Sequence, residues 1–535
     1  MSDDAPGRHP LLFTNGSILG HPPGTAVQVS GGRITDVGRH AELEATAARG
    51  TERVDLDGGM LSPGFQDAHV HPPMGGLQRL RCDLEPAENL DQAIRIITDH
   101  AARGEGWLLG GGWRYGWFPY GNPPAGLLDE ITGRPVWLIV ADGHSGWANR
   151  AALDLAGVDV ETPDPPDGVI VRGADGSPQG TLHEGAMDLV ERVLPPDDPA
   201  DVRRAILESQ QYLLSLGITA WQDAWVTPEV HDAYLDLARS GDLRCRVRGA
   251  LWWDRARGIE QLRELVEHSH QGVGNYVPGT VKLMLDGVCE NFTASMLHSY
   301  RDRDGNPTGN RGLDFIEAGA LPEIVAAIDA AGLQCHFHSL GDRAVRQALD
   351  AVEHARRVNG KQDTRPHLAH VQLIDPDDIR RFAPLDATAN IQALWASFGS
   401  IMTELTIPYL PPDRVGLQYP FRSLVDSGAR LAMGSDWSVS TPDVLQQIGV
   451  ATTRTRPAKG IEEPFFPEQR ITAEVALTAF TKGSARVNFL DHDSGVIERG
   501  MRGDLAVISG DPRREDPFEL TVTMTVLEGA VVHRT

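Results

Sequence analysis

SPGFQDAHVHP, residues 62–72, ends a short apolar run on two histidines that stand two positions apart. In an extended strand the side chains at positions i and i+2 point to the same face, so His69 and His71 share one face. Two neutral imidazoles on one face can bind one divalent metal ion. Two histidines satisfied by hydrogen bonds inside a core are the alternative, and the pair alone leaves it open.

Around these histidines the chain alternates apolar strand-like runs with amphipathic helical stretches such as LPEIVAAIDAAG, residues 321–332. Such alternation indicates parallel strands, and about eight strand–helix units are typical of a closed (β/α)8 barrel of the TIM type, an α/β fold. Nine segments qualify as strands, which is one too many for this barrel. They begin near Met60, Val136, Ile218, Arg246, Thr280, Gln334, His367, Ala387 and Arg430.

The segment near Val136 belongs to an insertion after barrel strand one. Residues 76–204 are far too long for a strand–helix connection and contain their own strand, PVWLIVADGH. We therefore expect an inserted subdomain at 76–204 that caps the active site, and barrel segments at 60–75 and 205–485.

Both chain ends read as short strands separated by turns, with Gly31 and Gly32 as a hairpin signal between two alternating runs. The last fifty residues read alike, as in GDLAVISGD. We expect residues 1–59 and 486–535 to pair into one small β-sandwich.

The composition is that of a globular protein with a strongly acidic balance. The 535 residues carry a formal net charge of −25, which argues against nucleic acid and membrane as partners and is compatible with a small-molecule substrate. The four cysteines are scattered without a C-x-x-C pair, which favours free thiols in a reducing compartment. The start, MSDDAPGRHP, is not typical of a secretory signal, and no apolar run reaches the roughly 18–20 residues of a membrane helix. We expect a cytoplasmic protein, and a homo-oligomer is compatible with the sequence.

Lys282 is unusual because it stands inside an apolar strand, in GTVKLMLDG. A buried ammonium without a partner is costly, so its pKa should fall. A neutral amine can react with carbon dioxide to form a carbamate, whose two oxygens suit a bridge between two metals. A salt bridge to a carboxylate on the same strand face, such as Asp286, is the alternative and stays open.

Polar groups that can bind metal recur at the ends of later strands. His336 and His338 share a face of LQCHFHSLGDRAV, and His338 is nearer the strand end. His370 ends the next strand, in PHLAHVQLID, and Asp436 ends the eighth, in ARLAMGSDWSVS. Each alone could be a core histidine or a turn residue. Together they mark the barrel mouth, where barrel enzymes place their chemistry.

The ordered set of motifs resembles a known family. PGFQDAHVHP is similar to the strand-one H-x-H motif of the amidohydrolase superfamily. HSLGDRAV, AHVQLIDPDDIRRF, YPFRSLVDSGARLAMGSDWSV and GDLAVISGDP resemble amidohydrolase family 3, the YtcJ-like metal-dependent hydrolases. The resemblance runs over nearly the whole chain.

The resemblance implies a metal site with two positions. The strand-one histidines match ligands of the more buried metal, and the strand-four lysine matches a carboxylated residue that bridges two metals. The histidines that end strands five and six match ligands of the second metal, and the strand-eight aspartate matches a ligand that also handles the proton. In chain order these residues are His69, His71, Lys282, His338, His370 and Asp436. His336 has no counterpart in this pattern.

The expected reaction is hydrolysis of an amide-type C–N bond in a small molecule. A bound divalent metal lowers the pKa of water from about 15.7 towards 7 and so provides hydroxide, with Asp436 as general base and then general acid. We expect zinc, one or two ions per chain, and favour two ions bridged by carboxylated Lys282. A lactonase, decarboxylase or isomerase on the same scaffold is the alternative, and a non-catalytic regulatory or binding protein is a third hypothesis.

Substrate contacts are expected from the insertion and from the strand ends. The stretches DGVCENFTAS and NIQALWAS, at the ends of strands four and seven, depart from the family pattern. We expect His144, Trp113 and Asp286 to contact the substrate. The aromatic residues of GGGWRYGWFPYG also suit the core of the insertion, and this alternative stays open.

Overall fold

The middle region of the chain forms a barrel of parallel strands. The computed structural model describes residues 9–535, and within this range eight strands pair in chain order, each parallel to its neighbours. They are β1 (Phe65–Val70), β2 (Ile218–Val226), β3 (Arg246–Trp252), β4 (Tyr276–Met284), β5 (Gln334–Ser339), β6 (His367–His370), β7 (Thr388–Ile391) and β8 (Arg430–Met433).

Strands β1 and β8 meet just beyond their carboxyl ends and bring the barrel close to closure. The backbone N–H of Asp436 donates to the carbonyl of His69 over 2.8 Å, and that of His71 donates to the carbonyl of Trp437 over 2.7 Å. The predicted (β/α)8 barrel is confirmed. Its near closure places residues that are far apart in the sequence at one mouth.

Helices follow the strands and cover the barrel from outside. In the helix after β5, Ala344, Val345, Ala348 and Leu349 are buried, at the spacing of an apolar helical face. The helices around the barrel are Pro72–Leu80, Pro199–Ser215, Pro228–Ser240, Leu262–Ser269, Leu321–Ala330, Asp342–Asn359, Pro376–Ile379, Phe382–Leu385, Phe421–Asp426, Val444–Thr453, Ala473–Thr478 and Ser484–Val487. None of the helices in the described part of the chain is both long and apolar enough to cross a membrane.

Strands from the chain ends form two further sheets that pack around one apolar core, which includes Phe13, Leu61 and Val526. The first sheet has the spatial order Arg33–Arg39, Thr25–Ser30, Leu11–Thr14 and Glu52–Asp55. The second joins both ends in the order Ser17–Ile18, Met60–Pro63, Leu505–Ile508, Val522–Leu527 and Ala530–Arg534.

The barrel begins later than the expected residue 60. Met60–Pro63 pairs with Leu505–Ile508 in the second terminal sheet, and β1 starts only at Phe65. Gly64 separates the two strands: a Cβ there would lie 2.3 Å from Oγ1 of Thr219, so the chain passes β2 too closely for a larger residue. This change of sheet could not be predicted from the apolar run, because the residues before and after Gly64 are equally buried. Residues 1–8 of the expected range 1–59 lie outside the described residues.

Between β1 and β2 the chain forms a six-stranded sheet, in the range 76–204 where we expect the insertion. Its spatial order is Gly168–Arg172, Pro178–Glu184, Ser145–Ala148, Val136–Val140, Leu108–Trp113 and Cys82–Asp83. Helices Leu90–Ala101 and Arg150–Ala156 contact it. The chain leaves and re-enters the barrel layer through Pro72–Leu80 and Pro199–Ser215, which pack against each other.

Candidate metal centre

The side chains of His69 in β1, of His71 directly after β1 and of Asp436 in the loop after β8 converge at the barrel mouth. Nε2 of His69 and Nε2 of His71 each lie 3.1 Å from Oδ1 of Asp436. All three residues are buried, and their candidate ligand atoms lie within 4.8 Å of one another. The alternation along β1 points both rings inward, as the spacing predicts. Two imidazole nitrogens and a carboxylate oxygen suit a divalent metal such as zinc.

Two more imidazoles extend this group across the mouth. The ring centroid of His370 lies 4.7 Å from that of His69 and 4.6 Å from that of His338. Nδ1 of His338 and Nδ1 of His370 are buried without a hydrogen-bond partner among the described residues. Burial lowers the pKa of both rings well below the ordinary value, so their nitrogens keep lone pairs for a ligand. Buried polar atoms without partners are costly, and a bound metal would satisfy Nδ1 of His370, which lies 4.0 Å from Oδ2 of Asp436. Nδ1 of His338 instead lies near the carboxylate of Asp286, on the side away from the cavity.

Lys282 reaches the same mouth from β4. It is 2% exposed and lines the cavity, and no ion pair within 4.0 Å includes it in the described part of the chain. Burial lowers the pKa of Lys282 to about 7, against the attraction of Asp436 and Asp223. Because the neutral amine is the form that carbon dioxide modifies, this position fits the carbamate hypothesis.

Asp286 is held by the backbone of the barrel and not by Lys282. The Asp286 carboxylate lies 3.3 Å from Nδ1 of His338, but the two groups do not have hydrogen-bond geometry. It accepts backbone N–H groups at 2.8 to 3.1 Å from Ser295, Leu340 and Gly341. The structure therefore places Asp286 behind the site. The alternative of a salt bridge to Lys282 is not found, and Asp286 does not line the cavity, contrary to the expected substrate contact.

The backbone is strained where two of these residues turn into the mouth. His370 has a φ of 75° and Asp436 a φ of 56°, in the left-handed region that costs a non-glycine residue about 1–3 kcal/mol. Asp67, which is fully buried, braces this region by accepting the backbone N–H of His69 over 3.0 Å and that of Ser435 over 3.1 Å. Asp67 was not among the predicted site residues, although its spacing of two residues from His69 places it on the same face.

A cavity lies between these residues and the inserted sheet. His144 lines it, with its ring centroid 5.3 Å from that of His338. Nδ1 of His144 donates to Oε2 of Glu184 over 2.9 Å, and Oγ1 of Thr293 donates to Oε1 of Glu184 over 2.8 Å. Burial alone would lower the pKa of His144, but the Glu184 carboxylate raises it to about 9. The ring is therefore a cation at neutral pH, and Nε2 is left for the cavity.

The aromatic wall of the cavity is not the expected one. Trp113 is fully buried in the core of the inserted sheet, where its indole N–H donates to the carbonyl of Leu138 over 2.8 Å. It does not line the cavity, contrary to the expected substrate contact. Trp225 and Trp252, at the ends of β2 and β3, line it with stacked rings 4.8 Å apart. Neither tryptophan was among the predicted site residues, although a position at the carboxyl end of a barrel strand is a usable signal.

Known proteins are similar to this chain along most of its length. A family model described as amidohydrolase family matches residues 52–533. The Arabidopsis thaliana protein LONG AFTER FAR-RED 3 is 32% identical, over 97% of this chain and 90% of its own length. N-substituted formamide deformylase from Arthrobacter pascens is 28% identical, over 95% of this chain and 94% of its own length.

Solved structures share the fold. An uncharacterized metal-dependent hydrolase from Pyrococcus horikoshii OT3 superposes with a TM-score of 0.73 at 22% identity, covering 95% of this chain and 99% of that chain. The likeness includes the chain regions before and after the barrel as well as the barrel itself, since the coverage is nearly complete.

Proposed function

Because the chain belongs to the amidohydrolase family, we propose that it is a metal-dependent hydrolase that cleaves the C–N bond of a small amide. The observation that carries this proposal is the convergence of His69, His71 and Asp436 on one point, from strands that are distant in the sequence. The unpartnered Nδ1 of His370 beside them supports it. So does a buried lysine, Lys282, that forms no ion pair with any of the described residues.

The residues fit two ions. The strand-one histidines and Asp436 would hold the first ion, and His338 and His370 would hold the second. A carboxylated Lys282 would offer one oxygen to each, since Lys282 lines the same cavity. Imidazole nitrogens and anionic oxygens suit zinc. When bound, such an ion activates water and polarises a carbonyl group.

Asp436 would move the proton of the reaction. Its Oδ1 is shared by the two imidazoles of β1, whereas its Oδ2 lies 4.0 Å from Nδ1 of His370. In hydrolysis the oxygen of water bonds to the carbonyl carbon, the C–N bond breaks, and a proton passes from water to the leaving nitrogen. A buried carboxylate at this position can accept that proton and return it.

His144 would bind the carbonyl oxygen of the substrate. Glu184 fixes Nδ1 of His144, which leaves the N–H on Nε2 as a donor of a ring that lines the cavity beside His338. We expect His144→Ala to lower kcat/KM by about 10–100-fold, because a hydrogen bond from a charged donor contributes about 1.5–3 kcal/mol.

Steady-state kinetics and metal content measured together test this contact. The metal content of the His144→Ala variant should equal that of the wild type. Glu184→Gln is the companion variant: it keeps an acceptor for Nδ1 but removes the negative charge, and we expect an intermediate loss. Wild-type kcat/KM in His144→Ala would exclude the contact.

An apolar group of the substrate would lie against the wall formed by Trp225 and Trp252. Trp225 is 39% exposed, which leaves much of its ring free for a ligand. We expect Trp225→Ala to raise KM about tenfold for amides with a bulky apolar group, since an aromatic contact of this size contributes about 1–2 kcal/mol. KM for small amides should stay unchanged. Tyr120→Ala is the control, because Tyr120 is 69% exposed and does not line the cavity.

The proposed function is tested by metal content and by reaction class. Protein purified without chelator is analysed by inductively coupled plasma mass spectrometry and then assayed for amine release from N-formyl and N-acyl amines. We expect bound zinc and amine release that a chelator abolishes. Bound metal with activity only on lactones, or only in decarboxylation or isomerisation, would favour the alternative reactions. Protein that binds no metal even after incubation with Zn²⁺ or Mn²⁺ and bicarbonate would contradict the proposal.

A further inference from the structure

His336 lies one layer below the metal residues, inside the barrel. It shares the inward face of β5 with His338 and is fully buried. Its Nε2 lies 2.7 Å from Nδ1 of His69. This is hydrogen-bond distance, so one of the two nitrogens donates a proton and the other accepts it.

A metal bound at the other ring nitrogen of His69 would decide the direction of this hydrogen bond. Nε2 of His69 lies 3.1 Å from Oδ1 of Asp436, on the side where the candidate metal residues converge. A nitrogen that binds a metal must offer its lone pair, so His69 then carries its proton on Nδ1. That N–H would then donate to Nε2 of His336, and His336 would carry its own proton on Nδ1, a buried atom without a hydrogen-bond partner among the described residues.

The adjacent imidazole, His367, has its own partners. Its ring centroid lies 4.0 Å from that of His336, and it is equally buried. Its Nε2 donates to Oε1 of Gln222 over 2.9 Å, and its Nδ1 accepts from Nδ2 of Asn390 over 3.3 Å. With both nitrogens engaged, His367 does not compete for Nε2 of His336.

We propose that His336 is a positioning residue that accepts the N–H of His69 and so holds Nε2 of His69 towards the metal. The proposal rests on the proposed function, since it requires a metal at His69. Partners of a metal-binding histidine are usually carboxylates, backbone carbonyls or water, and their loss typically weakens metal binding by about 10–100-fold. An imidazole in this place provides the acceptor without burying another negative charge in the barrel.

Two substitutions at one position separate this role from packing. His336→Leu removes the acceptor, whereas His336→Gln brings an amide oxygen close to the place of Nε2. We expect the Kd for Zn²⁺, measured by competition with a chromophoric chelator, to rise about 10–100-fold in His336→Leu and to stay within about threefold of wild type in His336→Gln. The absorption spectrum of bound Co²⁺ should shift in the leucine variant and keep its wild-type form in the glutamine variant.

His367→Leu is the matched control, since His367 is as buried as His336 but has no hydrogen bond to His69. We expect it to lower the thermal unfolding temperature and to leave the Kd for Zn²⁺ unchanged. Equal Zn²⁺ affinity of wild type and His336→Leu would overturn the proposal, as would an equal loss in His367→Leu.

The same titration distinguishes a failure of this proposal from a failure of the proposed metal site, because without that site the wild type itself would bind no Zn²⁺. If His336→Leu does not fold, His336→Asn replaces it. Its amide is too short to reach the place of Nε2, so we expect the Kd of the asparagine variant to rise and that of the glutamine variant to hold. Equal Kd values in these two variants would refute the positioning role.

Discussion

Asp436→Asn is expected to fold, to bind metal and to lose about 10²–10⁴-fold in kcat. Asparagine keeps a carbonyl oxygen where Oδ1 faces the imidazoles of β1, so the ligand geometry survives. It cannot accept a proton from water and pass it to the leaving nitrogen, because its amide does not titrate in this range. The measurement is kcat on the best amide substrate, with metal content and thermal unfolding recorded on the same preparation.

Asp443→Asn is the matched control for this substitution. Asp443 caps the helix Val444–Thr453 by accepting the backbone N–H groups of Leu445 and Gln446, and asparagine caps a helix about as well. We expect wild-type kcat in the control. Turnover close to wild type in Asp436→Asn, with metal bound, would show that another group transfers the proton.

Lys282→Ala is expected to lower the metal content from about two to about one ion per chain. The reason is that Lys282 lies buried among the candidate ligands with its pKa lowered to about 7 by burial, which suits the neutral amine that forms a carbamate. Loss of the bridge leaves the second pair of imidazoles without an anionic ligand. Inductively coupled plasma mass spectrometry on protein purified with bicarbonate measures the change.

Two control variants show whether the carbamate or only the positive charge matters. Lys282→Arg keeps a cation that stays protonated and forms no carbamate, so we expect it to lose the second ion as the alanine variant does. Lys361→Ala changes a lysine whose side chain is 75% exposed and should leave metal content unchanged. Two ions per chain in both Lys282 variants would rule out the bridging role, and one ion in the wild type would indicate a mononuclear site.

The candidate metal residues could be predicted from the sequence because their signals are local. His69 and His71 share a strand face through their spacing, and Asp436 directly follows the last strand of a predicted barrel. Barrel topology then brings strand ends together whatever lies between them. The bracing role of Asp67 could not be predicted in this way. Asp67 accepts the backbone N–H of Ser435, and Ser435 follows the strand at the opposite edge of the barrel sheet.

The sequence by itself determined the alternation of strands and helices, the inward face of each strand and therefore the candidate metal residues at the mouth. Only the tertiary structure decided which polar and aromatic groups face the cavity. Trp113 and Asp286 were both expected to contact the substrate. Trp113 is instead buried in the core of the insertion, and Asp286 accepts three backbone N–H groups. Trp225 faces the cavity and His336 contacts His69. The physical reason is that these orientations depend on hydrogen bonds and packing between segments far apart in the chain, which no local spacing records.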